Sequence, residues 1–115
     1  MENLKVLYLN DTERSEWEGK SKGYRNDVYV KVGNKLFNIK VYDMVRLQQD
    51  YELEIQTYGY YSIEPNLVLV KDVSKEEIEF VVRRLFEQNY FENIQPIDDE
   101  NIYSHFEKNA NNGEY

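Results

Sequence analysis

Residues 27–43 read DVYVKVGNKLFNIKVYD, and two strands joined by a tight turn are visible in that stretch alone. Val28, Val30 and Val32 alternate with Tyr29 and Lys31; beyond Gly33 and Asn34, Phe37, Ile39 and Val41 alternate with Asn38 and Lys40. Alternation with a period of two marks a strand with one apolar face. The Gly-Asn pair is turn chemistry, because glycine accepts the positive φ that two-residue hairpin turns demand. Such a turn fixes the register: Val32 lies opposite Lys35, Val30 opposite Phe37 and Val28 opposite Ile39. Facing residues share one side of the sheet, so Val28, Val30, Phe37 and Ile39 form a single apolar patch that needs a cover.

The cover is legible downstream. Ser74 and Glu77 form the S-x-x-E capping box of a helix, after which Ile78, Val81, Val82, Leu85 and Phe86 fall at i, i+3, i+4, i+7 and i+8, one apolar stripe. Glu79 and Arg83 are placed to pair one turn apart on the outer face. Asn89 suits a left-handed terminator, with Tyr90 and Phe91 folding back on the core. Past Pro96, the acids Asp98, Asp99 and Glu100 precede Ile102 and Phe106 at i, i+4, predicting a short helix from Asp99 to Lys108. Residues 109–115 hold nothing to bury and are expected to fray as a disordered tail.

Three further strands complete the expected sheet. Leu4 to Leu9 reads as a short first strand. Val45, Leu47, Tyr51, Leu53, Ile55 and Thr57 share one parity and Glu52, Glu54 and Gln56 the other, predicting a strand over 50–58 with an acidic solvated face. A bend at Tyr58, Gly59, Tyr60 and Tyr61 follows, and then Leu67 to Val70, apolar on both faces, as a strand at the sheet's centre or where a helix covers one side. Asn10 to Lys22 reads as a polar loop with one helical turn around Trp17, whose ring is expected to cap one end of the core. The fold class is α+β: an antiparallel meander of four to five strands packed against one main helix, with a short C-terminal helix, in a single domain over residues 1–108.

At 115 residues the chain is the size of one ordinary domain, and 41% apolar residues suffice for one modest core. The formal charge is −8, from 22 acidic and 14 basic side chains. Such a field repels nucleic acid and anionic lipid and speeds encounter with basic partners. With no cysteine, disulfides and thiolate-held metals are excluded. The opening residues lack a signal-peptide pattern, and no run approaches the roughly 20 apolar residues of a membrane span, so a cytoplasmic home is expected.

Catalytic patterns are sparse. His105 is the single histidine, so a two-histidine metal site and H-E-x-x-H are both missing; no metal or cofactor is expected, and its position near a helix end suits an imidazolium facing the dipole. None of the five serines lies in G-x-S-x-G. Sugar hydrolysis needs two carboxylates roughly 5–9 Å apart across a cleft; Glu52 and Glu54 are expected together on an open face, while the pairs Glu76–Glu77 and Asp98–Asp99 stand at helix starts. Gly19 to Gly23 lacks the phosphate-loop spacing, and Asp11 to Glu18 lacks the glycine and final glutamate of a calcium loop. Lys20, Lys22, Tyr24 and Arg25 interleave cations with aromatics, as single-strand binders do, but a solvated loop accounts for them better in so acidic a chain.

Elimination leaves a domain that works by contact. In size, acidity, lack of cysteine and its order of strands then helix, ending in YSIEPNLVLV (61–70), SKEEIE (74–79) and NYF (89–91), the chain resembles the immunity proteins of bacterial polymorphic-toxin and contact-dependent inhibition systems. The resemblance implies a cytosolic inhibitor that occludes the active site of a basic toxin, often a nuclease. Candidate contacts are then Asp11, Glu13, Glu16 and Glu18 in the loop, Glu52 and Glu54 on the strand face, and Tyr58, Tyr60 and Tyr61 at the bend. The acids would steer and the aromatics anchor; the plain alternative for each acid is a solvated surface. Two rivals remain: an interaction module acting by sheet-edge pairing or homodimerisation, and an enzyme with a dispersed carboxylate site.

Overall fold

The computed structural model describes residues 4–112, with side chains described through Lys108. In chain order these are β1 (Leu4–Tyr8), α1 (Glu13–Lys22), β2 (Tyr24–Val32), β3 (Lys35–Tyr42), α2 (Met44–Tyr58), β4 (Leu67–Leu69), α3 (Lys75–Glu87), a single 3-10 turn at Tyr90–Glu92, and α4 (Glu100–Asn112). One sheet carries the order β1-β2-β3-β4. The hairpin has the register its turn dictates, with Val32 opposite Lys35, Val30 opposite Phe37 and Val28 opposite Ile39. β1 joins antiparallel, Val6 opposite Val30.

α3 covers the apolar patch. Val28, Val30, Phe37, Ile39 and Val41 are buried together with Val73, Ile78, Val82 and Phe91. The Ser74 hydroxyl accepts from the Glu77 amide, closing the helix start. Asn89 takes the left-handed conformation (φ 62°) that ends it, and Phe91 folds back to lie 5.3 Å, centroid to centroid, from Phe37. α4 lies on the opposite face. Its Phe106 ring stands 5.4 Å from Tyr29, and its Tyr103 hydroxyl accepts from the Leu36 amide while donating to the Ile97 carbonyl, each at 3.0 Å. The sheet is therefore covered on both faces, and α4 runs on past Lys108 to Asn112; of the expected tail, residues 113–115 lie outside the described residues.

Four further sequence expectations fail. The sheet is not a pure antiparallel meander: β4 pairs with β3 in parallel. β4 is also a three-residue edge strand with Leu69 exposed, not a central one. Residues 50–58 are helical, not extended. The period-two reading of Leu47, Tyr51, Leu53 and Ile55 competes with a helical one in which Met44, Leu47, Tyr51, Ile55 and Tyr58 share a stripe. End signals decide it: the Asp43 carboxylate accepts from the Arg46 amide at 2.9 Å, Gly59 closes the helix at φ 85°, and the interior is rich in Gln, Glu and Leu.

The fourth failure is the loop at Asn10 to Lys22, which contains α1. Thr12 caps it by accepting from the Ser15 amide at 2.9 Å, Glu13 and Glu16 occupy the first turn, and Lys20 and Lys22 the last. Gly23 ends it at φ 72°, so close to the Asp43 carboxylate that a Cβ would stand 2.5 Å from an oxygen. Gly19 is where α1 meets the body, against the aliphatic part of Arg25. Trp17 points away and is 67% exposed, so it does not cap the core. A helix this polar offers the body a glycine rather than an apolar stripe, and its large aromatic is left outside.

Candidate protein-binding surface

The nine candidate contacts separate into two groups. Asp11, Glu13, Glu16 and Glu18 lie on and before α1, and three of them are occupied within the chain. Asp11 pairs with the Lys75 ammonium, Glu16 accepts from the Lys75 amide at the start of α3, and Glu18 pairs with Arg14 one turn away at 3.3 Å. These acids tie α1 to α3 and cap helices. Glu13 is exposed.

The second group converges. Glu52, Glu54 and Tyr58 lie on α2, with Tyr60 and Tyr61 just past its glycine cap. The strand face expected to present Glu52 and Glu54 does not exist; a helix presents them, with Glu52 accepting from Gln48 at 3.3 Å. Tyr58 and Tyr60 are each 65% exposed. Tyr61 is half-buried, and its hydroxyl pKa is raised, first by burial and then by the carboxylates of Asp50, Glu64 and Glu54.

α2 is oriented contrary to the usual amphipathic rule. None of its residues is buried. The side turned to the body is polar at its start: Arg46 pairs with Asp50 at 3.0 Å, donates to the Lys22 carbonyl at 3.3 Å and lies 4.8 Å from the Tyr24 ring centroid. Outward face Met44, Tyr51, Ile55 and Tyr58, exposed and spaced seven, four and three residues apart, with Val45, Leu53 and Ile63 exposed nearby. Leu47 and Glu54 are half-buried at the margin. Between Leu47 and Val70 the ionisable acids are Asp50, Glu52, Glu54 and Glu64, and no Lys or Arg interrupts them. The bend is pinned underneath by the Tyr42 hydroxyl, which donates to Glu64 at 2.5 Å; burial, then that hydrogen bond, pushes the Tyr42 pKa up.

Two features of the sequence could have revealed this surface: Asp43 and Gly59 as the two caps of a helix, and the seven-four-three spacing between them. The basic-aromatic segment does not survive as a patch. Arg25 is buried against Asp27, with 2.8 Å between Nε and Oδ1, under the Tyr8 ring, while Tyr24 packs at a tilt against Tyr42, 5.0 Å between ring centroids. Among the described residues no cluster of His, Cys, Asp and Glu could hold a metal ion, and no helix is long and apolar enough to cross a membrane. Comparison with known proteins finds no matching family model, no matching curated protein and no matching solved structure.

Proposed function

We propose that the chain is a protein-binding domain that docks a basic protein through the outward face of α2 and the bend after it, acting as an inhibitor of the immunity type that covers a toxin's active site. One observation carries this: α2 turns Met44, Tyr51, Ile55 and Tyr58 to solvent, and from Leu47 onward every charge in that stretch is acidic, Arg46 before it being held against Asp50 and Tyr24. Helices of about 15 residues are marginal in water without tertiary cover, so a face of this kind is completed by a partner. Tyrosines and an aliphatic centre supply affinity, and Glu52, Glu54 and Asp50 steer approach and favour a cationic surface. The same carboxylates disfavour a second copy of this helix as the cover, because like charges would meet.

The test uses the product of the neighbouring gene, co-expressed and then titrated. Ile55→Asp is expected to weaken binding about 100-fold or more, as loss of a central anchor does. Glu52→Lys with Glu54→Lys is expected to slow association about tenfold, with affinity falling as salt rises. A complex indifferent to both changes would remove α2 as the docking face. A second reading has one observation in its favour: β1 is an open edge, and its phase of pairing with β2 directs the amides and carbonyls of Leu4, Val6 and Tyr8 away from the sheet. A dimer in sedimentation, abolished by Val6→Pro and not by Ile55→Asp, would favour that reading.

A further inference from the structure

On the sheet face beneath α4, Lys5 and Lys31 stand directly opposite each other on β1 and β2. The neighbouring bond from the Leu9 amide to the Asp27 carbonyl sets the phase of the ladder, making this a hydrogen-bonded pair with Cα atoms about 5.5 Å apart. Like charges in facing positions destabilise a sheet, and neither ammonium has an ion-pair partner among the described residues. Beside them is a recess of about 270 Å³, close to the lower end of the roughly 300–1,000 Å³ range of small-molecule sites. Leu7 and Leu36 form its floor, Leu36 being 2% exposed, and Phe106 and Tyr103 its wall. The wall is held rigid, since Tyr103 bridges the Leu36 amide and the Ile97 carbonyl and Phe106 rests on Tyr29. Among the described residues Glu107 is the one carboxylate at the rim, so their local charge is +1 in a chain of −8.

We infer that this recess binds a small amphipathic monoanion, its carboxylate between Lys5 and Lys31 and its short alkyl or aryl part on Leu7, Leu36 and Phe106. A carboxylate there converts a repulsive facing pair into two charge-assisted contacts, and the apolar part covers leucine and phenylalanine surface. Glu107 sets the charge that is accepted: one negative charge balances the rim, and a second would face it unpaired. The site is on a different element from α2 and does not depend on the docking role.

The probe is sodium hexanoate, titrated against the ¹⁵N-labelled chain, with hexanol and hexylammonium as controls. Saturable shifts are expected at the amides of Leu7, Lys31, Leu36 and Tyr103 with hexanoate and not with either control. Lys5→Met with Lys31→Met should weaken binding about tenfold or more, the effect of losing charge-assisted bonds, and Glu107→Gln should tighten it several-fold. Glu107→Gln also guards against misfolding of the lysine variant, because it demands a gain. Dissociation constants above about 10 mM, shifts confined to other surfaces, equal response to hexanol, or an affinity unmoved by all three substitutions would each overturn the proposal.

Discussion

A single buried ion pair shows how much this small sheet depends on individual side chains. Arg25 is 4% exposed and held by Asp27 through Nε–Oδ1 (2.8 Å) and Nη2–Oδ2 (3.0 Å), with a further Nη2 bond to the Asn10 carbonyl. Burial works against both charges, yet the pair outweighs it: the Arg25 pKa is raised and the Asp27 pKa lowered. For Asp27 the unfolded chain binds a proton at higher pH than the folded one does. Its contribution is therefore complete above the ordinary carboxyl range near pH 4 and is lost as pH falls through the lower folded value. Asp27→Asn should cost about 3 kcal/mol at neutral pH, because it leaves a guanidinium buried without its counter-charge, and should flatten the acid limb of the stability curve. Urea denaturation between neutral pH and pH 3 measures both. Pairing Arg25→Met with Asp27→Leu should recover much of the loss, since apolar replacement of a buried pair is often neutral.

At the scale of the element, α2 and α3 make a contrast. α3 buries Ile78 and Val82 and is fastened by Ser74 and Asn89; α2 buries nothing and is fastened at its start. Amide exchange in the free protein should therefore be slower along Glu79–Phe86 than along Glu52–Thr57, and binding of the partner should slow the second set preferentially. Equal protection of the two helices in the free protein would contradict the description of α2 as unsupported. The same contrast explains what could be read from residues alone. The hairpin and α3 were legible because pattern, turn and cap agreed there. α1 was hidden because its capping frame, Thr12 to Gly23, encloses almost no apolar residue. α2 was misread because its apolar residues satisfy two periods at once, and tertiary burial, the usual arbiter, does not act on it. Of the candidate surface, Glu52 and Glu54 are read on a strand and lie on α2, Tyr58 is read at the bend and ends that helix, and Tyr60 and Tyr61 lie at the bend in both. Asp11, Glu16 and Glu18 look free in a loop reading because it lacks α1, which sets Glu18 one turn from Arg14 and brings Asp11 and Glu16 to Lys75 at the start of α3.

Across the whole molecule the fold places its rigid and its exposed parts separately. β1, β2, β3 and α3 share one core, α4 closes the reverse face, and the dimensions of 49 × 32 × 26 Å are those of an elongated body. The parallel pairing of β4, which sets Lys40 beside Leu67 and Tyr42 beside Leu69, has a consequence for how such a chain can change. Everything between Tyr42 and Leu67 is an excursion that leaves the sheet at one strand and re-enters at its neighbour. Closing a loop costs only about 0.6 kcal/mol per doubling of its length, so the excursion behaves as an exchangeable cassette. Replacing residues 45–62 with a Gly/Ser linker of about eight residues, long enough to step back along one strand, should leave a cooperatively folding protein with its melting temperature lowered by only a few degrees. Grafting a different helix there would redirect recognition while the frame that carries it stays as it is.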